Sequence, residues 1–159
     1  MKTRAYLCFL VFAGLAVLGA AQDKATDLAI IVNKSVRMDN VTSSDLRRYF
    51  KAEKTKAPDG TKLVIVMFDS GTPERAAALA GIYGMSENEY ADYFVEATFT
   101  GAVTAAPKTL PSAAAIRAYV AETPGAISYV RGSEADDSVQ TVKVDGKLPG
   151  DPGYKPKLK

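Results

Sequence analysis

The chain has 159 residues, a formal net charge of +2, one cysteine, and no histidine or tryptophan. Cys8, Lys2 and Arg4 all fall in an N-terminal leader, so the remainder is neutral and lacks both thiol and imidazole. That excludes disulfides, zinc sites built on Cys or His, thiol nucleophiles and a Ser-His-Asp triad. It also leaves no general electrostatic attraction to nucleic acid or anionic membrane.

The leader starts basic, is largely apolar over residues 5–18, and ends in Gly19-Ala20-Ala21 before Gln22. This is the pattern of a secretory signal peptide cut after Ala21, which predicts a periplasmic or secreted protein. Its apolar run is short against the roughly 20 residues of a membrane span, so no stable insertion is expected after cleavage. Cys8 lacks the small residues that precede a lipoprotein cleavage site. The roughly 140 residues that follow suffice for one domain with a real core.

Residues 28–32 (L-A-I-I-V) are the first predicted strand, followed by the loop Asn33-Lys34-Ser35. Ser43 or Ser44 is expected to cap a short helix over D-L-R-R-Y-F, with Leu46, Tyr49 and Phe50 on one face. A charged connection ends at the Asp59-Gly60 turn. Residues 63–67 then form a second apolar run, expected to be a buried parallel strand around which the chain is organised. Thr72 as cap, Pro73 at the first helical position and Glu74 in the first turn predict a helix directly after it. The unpaired N–H groups of a helix start can hold an anion.

Gly81 and Gly84 end that helix, and Ser86-x-x-Glu89 is a capping box opening the next. Tyr90, Tyr93, Phe94 and Ala97 recur as a core-facing stripe. An Ala/Pro/Thr loop runs from Gly101 to Pro111. Ser112 caps a fourth helix with Ile116, Tyr119 and Val120 inward, and Pro124-Gly125 stops it. Residues 126–130 are a third strand, and residues 139–144 alternate as a half-exposed edge strand would. Residues 146–159, rich in Pro, Gly and Lys, read as a flexible tail, which leaves residues 22–145 as the domain. Strands alternating with helices predict an α/β fold with a mostly parallel sheet flanked by helices. Ser35, the turn over residues 68–75 and Arg131 are expected at the carboxyl edge of that sheet, where ligands bind.

The segments I-I-V-N-K-S, V-T-S-S-D-L-R-R-Y-F-K, D-G-T-K-L-V-I-V, S-G-T-P-E-R and Y-V-A-E-T-P-G-A-I-S-Y-V follow in this order over residues 28–130. Together they resemble the phosphate-type substrate-binding proteins of ABC importers. The resemblance implies one lobe of a type II periplasmic binding protein, with phosphate or another small oxyanion as ligand and an association with ABC-type uptake. It implies hydrogen bonds to the ligand from Ser70, Gly71 and Thr72; as an oxyanion-binding protein the chain would add Ser35 as a further donor and Arg75 or Arg131 as the charge. A second register, counted from the strand and from Arg75, puts Thr72, Pro73 and Glu74 on the Ser-Gly-Thr places. It puts Phe68 where the family has an arginine, and it keeps the strand-to-helix distance. In that register proline removes a donor, glutamate adds a repelling charge and phenylalanine supplies no cation.

A two-lobed binding protein needs about twice this length, so a homodimer or an envelope partner could supply the second wall. The alternative function is a ligand-free interaction or scaffold module derived from one lobe. Catalysis is not expected. Asp136 and Asp137 read as solvated, the capping box accounts for Glu89, and the acidic loop lacks the spacing of a Mg²⁺ or Ca²⁺ site. No cofactor is implied. The basic cluster around Arg47, Arg48 and Lys51 reads as a solvated face rather than a nucleic-acid surface.

Overall fold

The computed structural model describes residues 24–158; the expected signal peptide and its cut after Ala21 lie outside the described residues. Both apolar runs become interior strands of one six-stranded sheet. The strands are β1 (Leu28–Val32), β2 (Asn40–Val41), β3 (Val64–Phe68), β4 (Lys108–Leu110), β5 (Ala126–Arg131) and β6 (Gln140–Val144), in spatial order β2-β6-β1-β5-β3-β4. Every residue of β1 is buried, as covering both faces of a strand with apolar side chains requires. Helices α1 (Ser43–Phe50), α2 (Pro73–Ala78), α3 (Glu87–Phe99) and α4 (Ala113–Glu122) flank the sheet, and α2 runs on into a π turn at Leu79–Tyr83. No helix among the described residues is long and apolar enough to cross a membrane.

The sheet is α/β and mixed. β3 runs parallel to β4 and β5, and β2 runs parallel to β6. β1 lies antiparallel to both its neighbours, β5 and β6. Strand β6, expected at an edge, is interior because the two-residue β2 covers its outer side. β2 and β4 are held by their partners' hydrogen bonds and are too short to show a period of their own.

The helix starts follow local chemistry. Thr72, Ser86 and Ser112 each accept an N–H from three residues on, and Ser86 and Glu89 complete the reciprocal box. At α1 the cap is Thr42, not Ser43 or Ser44; the Ser43 hydroxyl and N–H are instead taken by the Asp145 carboxylate. Between sheet and helices, Phe50 packs on Tyr83 and Tyr129, and Phe68 on Tyr129 at 5.6 Å.

The expected flexible tail is instead packed. Tyr154 is fully buried and its hydroxyl donates to Leu28 O at 2.8 Å. Leu28 N–H donates to Pro156 O, Leu158 N–H to Thr26 O, and Lys157 lies 3.3 Å from the buried Asp27 carboxylate. Proline and glycine keep this strap irregular, but one aromatic anchor and a few backbone bonds suffice to fasten it.

Candidate functional site

Strand β3 ends at Phe68 and the chain turns over residues 69–72 into α2. Asp69 N–H donates to Leu110 O at 3.0 Å, which fastens the turn to β4. Thr72 Oγ1 accepts Arg75 N–H at 3.3 Å and donates to Asp69 O at 2.9 Å. Ser70 and Gly71 are exposed and Thr72 is half-buried. The backbone N–H groups of Ser70 and Gly71 make no hydrogen bond among the described residues, whereas Thr72 N–H turns back to Asp69 O and closes the turn, with Gly71 at φ +85°. Ser70 and Gly71 therefore hold free backbone donors beside the start of α2. Pro73 offers no N–H there.

The cations are committed elsewhere. Arg75 is 5% exposed. Its Nε donates to both Glu87 carboxylate oxygens at 2.9 Å, Nη2 donates to Oε1 at 2.6 Å, and Nη1 donates to Phe68 O at 3.1 Å. The guanidinium also stacks on Tyr90 at 4.7 Å. Burial opposes its charge, but the hydrogen bond and the charge of Glu87 outweigh burial and hold its pKa above the ordinary arginine value. Arg75 thus clamps β3, α2 and α3 together. Arg131, at the end of β5, donates from Nε to Glu74 Oε1 at 2.6 Å. Phe68 is buried against Tyr129 and places no charge at the rim.

Ser35 does not join this group. Val32 pairs with Ile127 and Leu28 with Arg131, so β1 ends where β5 begins. β3 runs with β5, Val64 beside Ala126. Ser35 therefore emerges at the opposite edge, roughly 17 Å away, the length of a five-residue strand. Its N–H is taken by Asn33 Oδ1 at 2.8 Å, while the Asn33 amide donates to Val120 O and Ala121 O at the end of α4.

Sequence reasoning missed Glu87 as the partner of Arg75, and it missed the hydroxyls behind the turn. Tyr90 and Tyr129 are buried, and neither hydroxyl has a hydrogen-bond partner among the described residues. Burial pushes Tyr90 up to about 12 and raises Tyr129 further. The acid in the first turn of α3 was the available signal, but nothing in one dimension links it to residue 75. Asp136 is paired with Arg117 at 3.0 Å; hydrogen bonds from Ser138 hold its carboxyl below the usual range.

No protein-family model matches the chain. Solved structures do. An ABC-type phosphate transport receptor from Vibrio cholerae superposes with a TM-score of 0.63 at 18% identity, covering 78% of this chain and 48% of that one. A substrate-binding protein assigned to phosphate ABC transport, solved with bound phosphate, from Clostridium perfringens gives 0.63 at 23%, covering 80% and 49%. PstS from Borrelia burgdorferi gives 0.60 at 15%, covering 78% and 49%. The chain spans about half the length of these proteins. Its fold is therefore the one these structures share over about half of their length. The likeness covers about half of each of these phosphate-transport proteins.

Proposed function

We propose that this chain is an exported, periplasmic binding-protein-like domain that presents half of an oxyanion site, with phosphate as the first candidate ligand and ABC-type uptake as its setting. The observation that carries this reading is the turn at residues 70–72. The uncommitted backbone donors of Ser70 and Gly71 stand just past the end of β3, in a fold shared with solved phosphate receptors. Backbone N–H groups at a strand-to-helix turn are suited to an anion. Among the described residues no second lobe faces the turn, so water competes with each hydrogen bond and affinity is low unless a second copy or an envelope partner supplies the other wall.

Calorimetric titration of phosphate into the protein starting at Gln22, with Ser70→Pro beside it to remove one backbone donor, tests the reading. Binding in the millimolar range, weakened in the variant, is expected. No heat at millimolar phosphate overturns it. A second reading, a ligand-free interaction module, is favoured by the internal pairing of Arg75 with Glu87 and of Arg131 with Glu74. A stable complex with an envelope protein in the absence of phosphate response would support that alternative.

A further inference from the structure

Helix α3 buries Tyr90, Phe94 and Ala97 against the core, as its capping box and stripe predict. Beside that buried stripe runs a second, unexpected apolar line, turning outward along the helix: Ala91, Val95 and Phe99 at i, i+4 and i+8. Val95 is 70% exposed and Phe99 91%. Among the described residues only one other large hydrophobic, Leu148, is exposed, so two of the three stand one helical turn apart on a single stripe. Isolated exposed apolar residues are ordinary, whereas a contiguous stripe with a rim marks a contact surface. A groove of about 590 Å³ runs along the stripe, floored by Tyr90 and Phe94, which gives a partner side chain somewhere to insert.

The rim decides what fits. Helix α3 carries no lysine or arginine; the exposed Asp92 and Glu96 follow the outer side of the stripe, and at its N-terminal end Glu87 is already neutralised by Arg75, so Asp92 and Glu96 set the rim's charge. We propose that this face docks a partner segment whose apolar side chains are flanked by lysine or arginine, in the manner of a basic amphipathic helix. Apolar anchors would fill the groove while the cations meet Asp92 and Glu96. A second copy laid helix against helix would set Asp92 and Glu96 of both chains together, and an anionic membrane would be repelled by the same rim. The proposal uses neither the 70–72 turn nor phosphate, and it stands or falls separately from the oxyanion reading.

The test uses an 18-residue helical peptide of leucine and lysine bearing one tryptophan, and its counterpart with glutamate in place of lysine. The protein has no tryptophan, so the peptide's fluorescence reports binding directly. Saturable one-to-one binding of the lysine peptide, with the glutamate peptide at least tenfold weaker, is expected. Val95→Asp with Phe99→Asp should weaken the lysine peptide at least tenfold without lowering the melting temperature, because both side chains are exposed. Asp92→Lys with Glu96→Lys should reverse the preference between the peptides. Lysine-peptide binding that ignores the Val95 and Phe99 variants, or binding of neither peptide, overturns the proposal. So does a dimer in sedimentation that Val95→Asp dissolves, because the face would then belong to a second copy.

Discussion

Glu74 Oε1 lies 2.6 Å from Arg131 Nε and ties the first turn of α2 to the end of β5. The pair brings a carboxylate and a guanidinium to the same sheet edge as the free donors of Ser70 and Gly71, and each cancels the other's charge. Glu74→Gln should therefore release the cation and remove a repelling charge together, strengthening phosphate binding about tenfold. The stability cost should stay below about 1 kcal/mol, because Arg131 is 40% exposed. Calorimetry beside a thermal melt reads both effects. Unchanged affinity would mean that Arg131 does not reach the anion.

The Arg75–Glu87 clamp differs in kind. Arg75 has only 6% of its side chain exposed, whereas Glu87 has 48%. Glu87→Gln would leave a buried guanidinium facing a neutral amide. The expected loss is about 1–2 kcal/mol, below the fully buried case because solvent reaches Glu87. Urea denaturation measures it. A variant as stable as the parent would show that the clamp does not hold α2 to α3.

The C-terminal strap is tested at its anchor. Tyr154→Phe removes one buried hydrogen bond to Leu28 O and should cost about 1 kcal/mol. Tyr154→Ala leaves a cavity and should cost about 3–5 kcal/mol. If both variants melt like the parent, the strap contributes nothing to the stability of β1.

Stability should be flat across the neutral range, because the chain has no histidine. Burial raises Tyr83, Tyr90, Tyr129 and Tyr154 above the ordinary 10.0. Their stabilising contribution is complete below that value. It falls as pH rises past 10, where the unfolded chain releases protons that the folded chain retains. Hydrogen bonds from Ser138, Ser43 and Ser86 lower Asp136, Asp145 and Glu89 from 3.8, 3.8 and 4.5. Their contribution is present above those values and fades as pH falls through the lowered ones. Melting temperature against pH should show a plateau from about pH 5 to 9 with a decline on either side. A transition near pH 6.5 would contradict it.

Gly125 opens β5 at φ +81°, and a Cβ there would lie 2.2 Å from Lys62 O. The neighbouring β3 leaves no room, because Val64 N–H is bonded to Gly125 O at 2.9 Å. Gly125→Ala should cost more than about 2 kcal/mol, whereas Gly60→Ala, with φ +87° in open space, should cost about 1 kcal/mol. Equal effects in chemical denaturation would show that backbone conformation, and not the close approach, sets the cost.

What could be read in one dimension was whatever depends on neighbours within about four residues. Thr72 with Pro73, the Ser86–Glu89 box and the Ser112 cap act locally, and the apolar runs of β1, β3 and β5 announce burial whatever covers them. Strand direction is not local. A run such as L-A-I-I-V reads alike both ways, so nothing in it showed that β1 opposes β5, and Ser35 was expected at the wrong edge for that reason. The two arginines met their carboxylates, Glu87 and Glu74, across 12 and 57 residues, and such partners exist only once the sheet has brought them together. Tyr154 is the same case, because one buried ring outweighed a composition that otherwise favours disorder. Side-chain chemistry was available from the residues themselves, but which charges remain free for a ligand depends on long-range packing, and only the folded chain determines that.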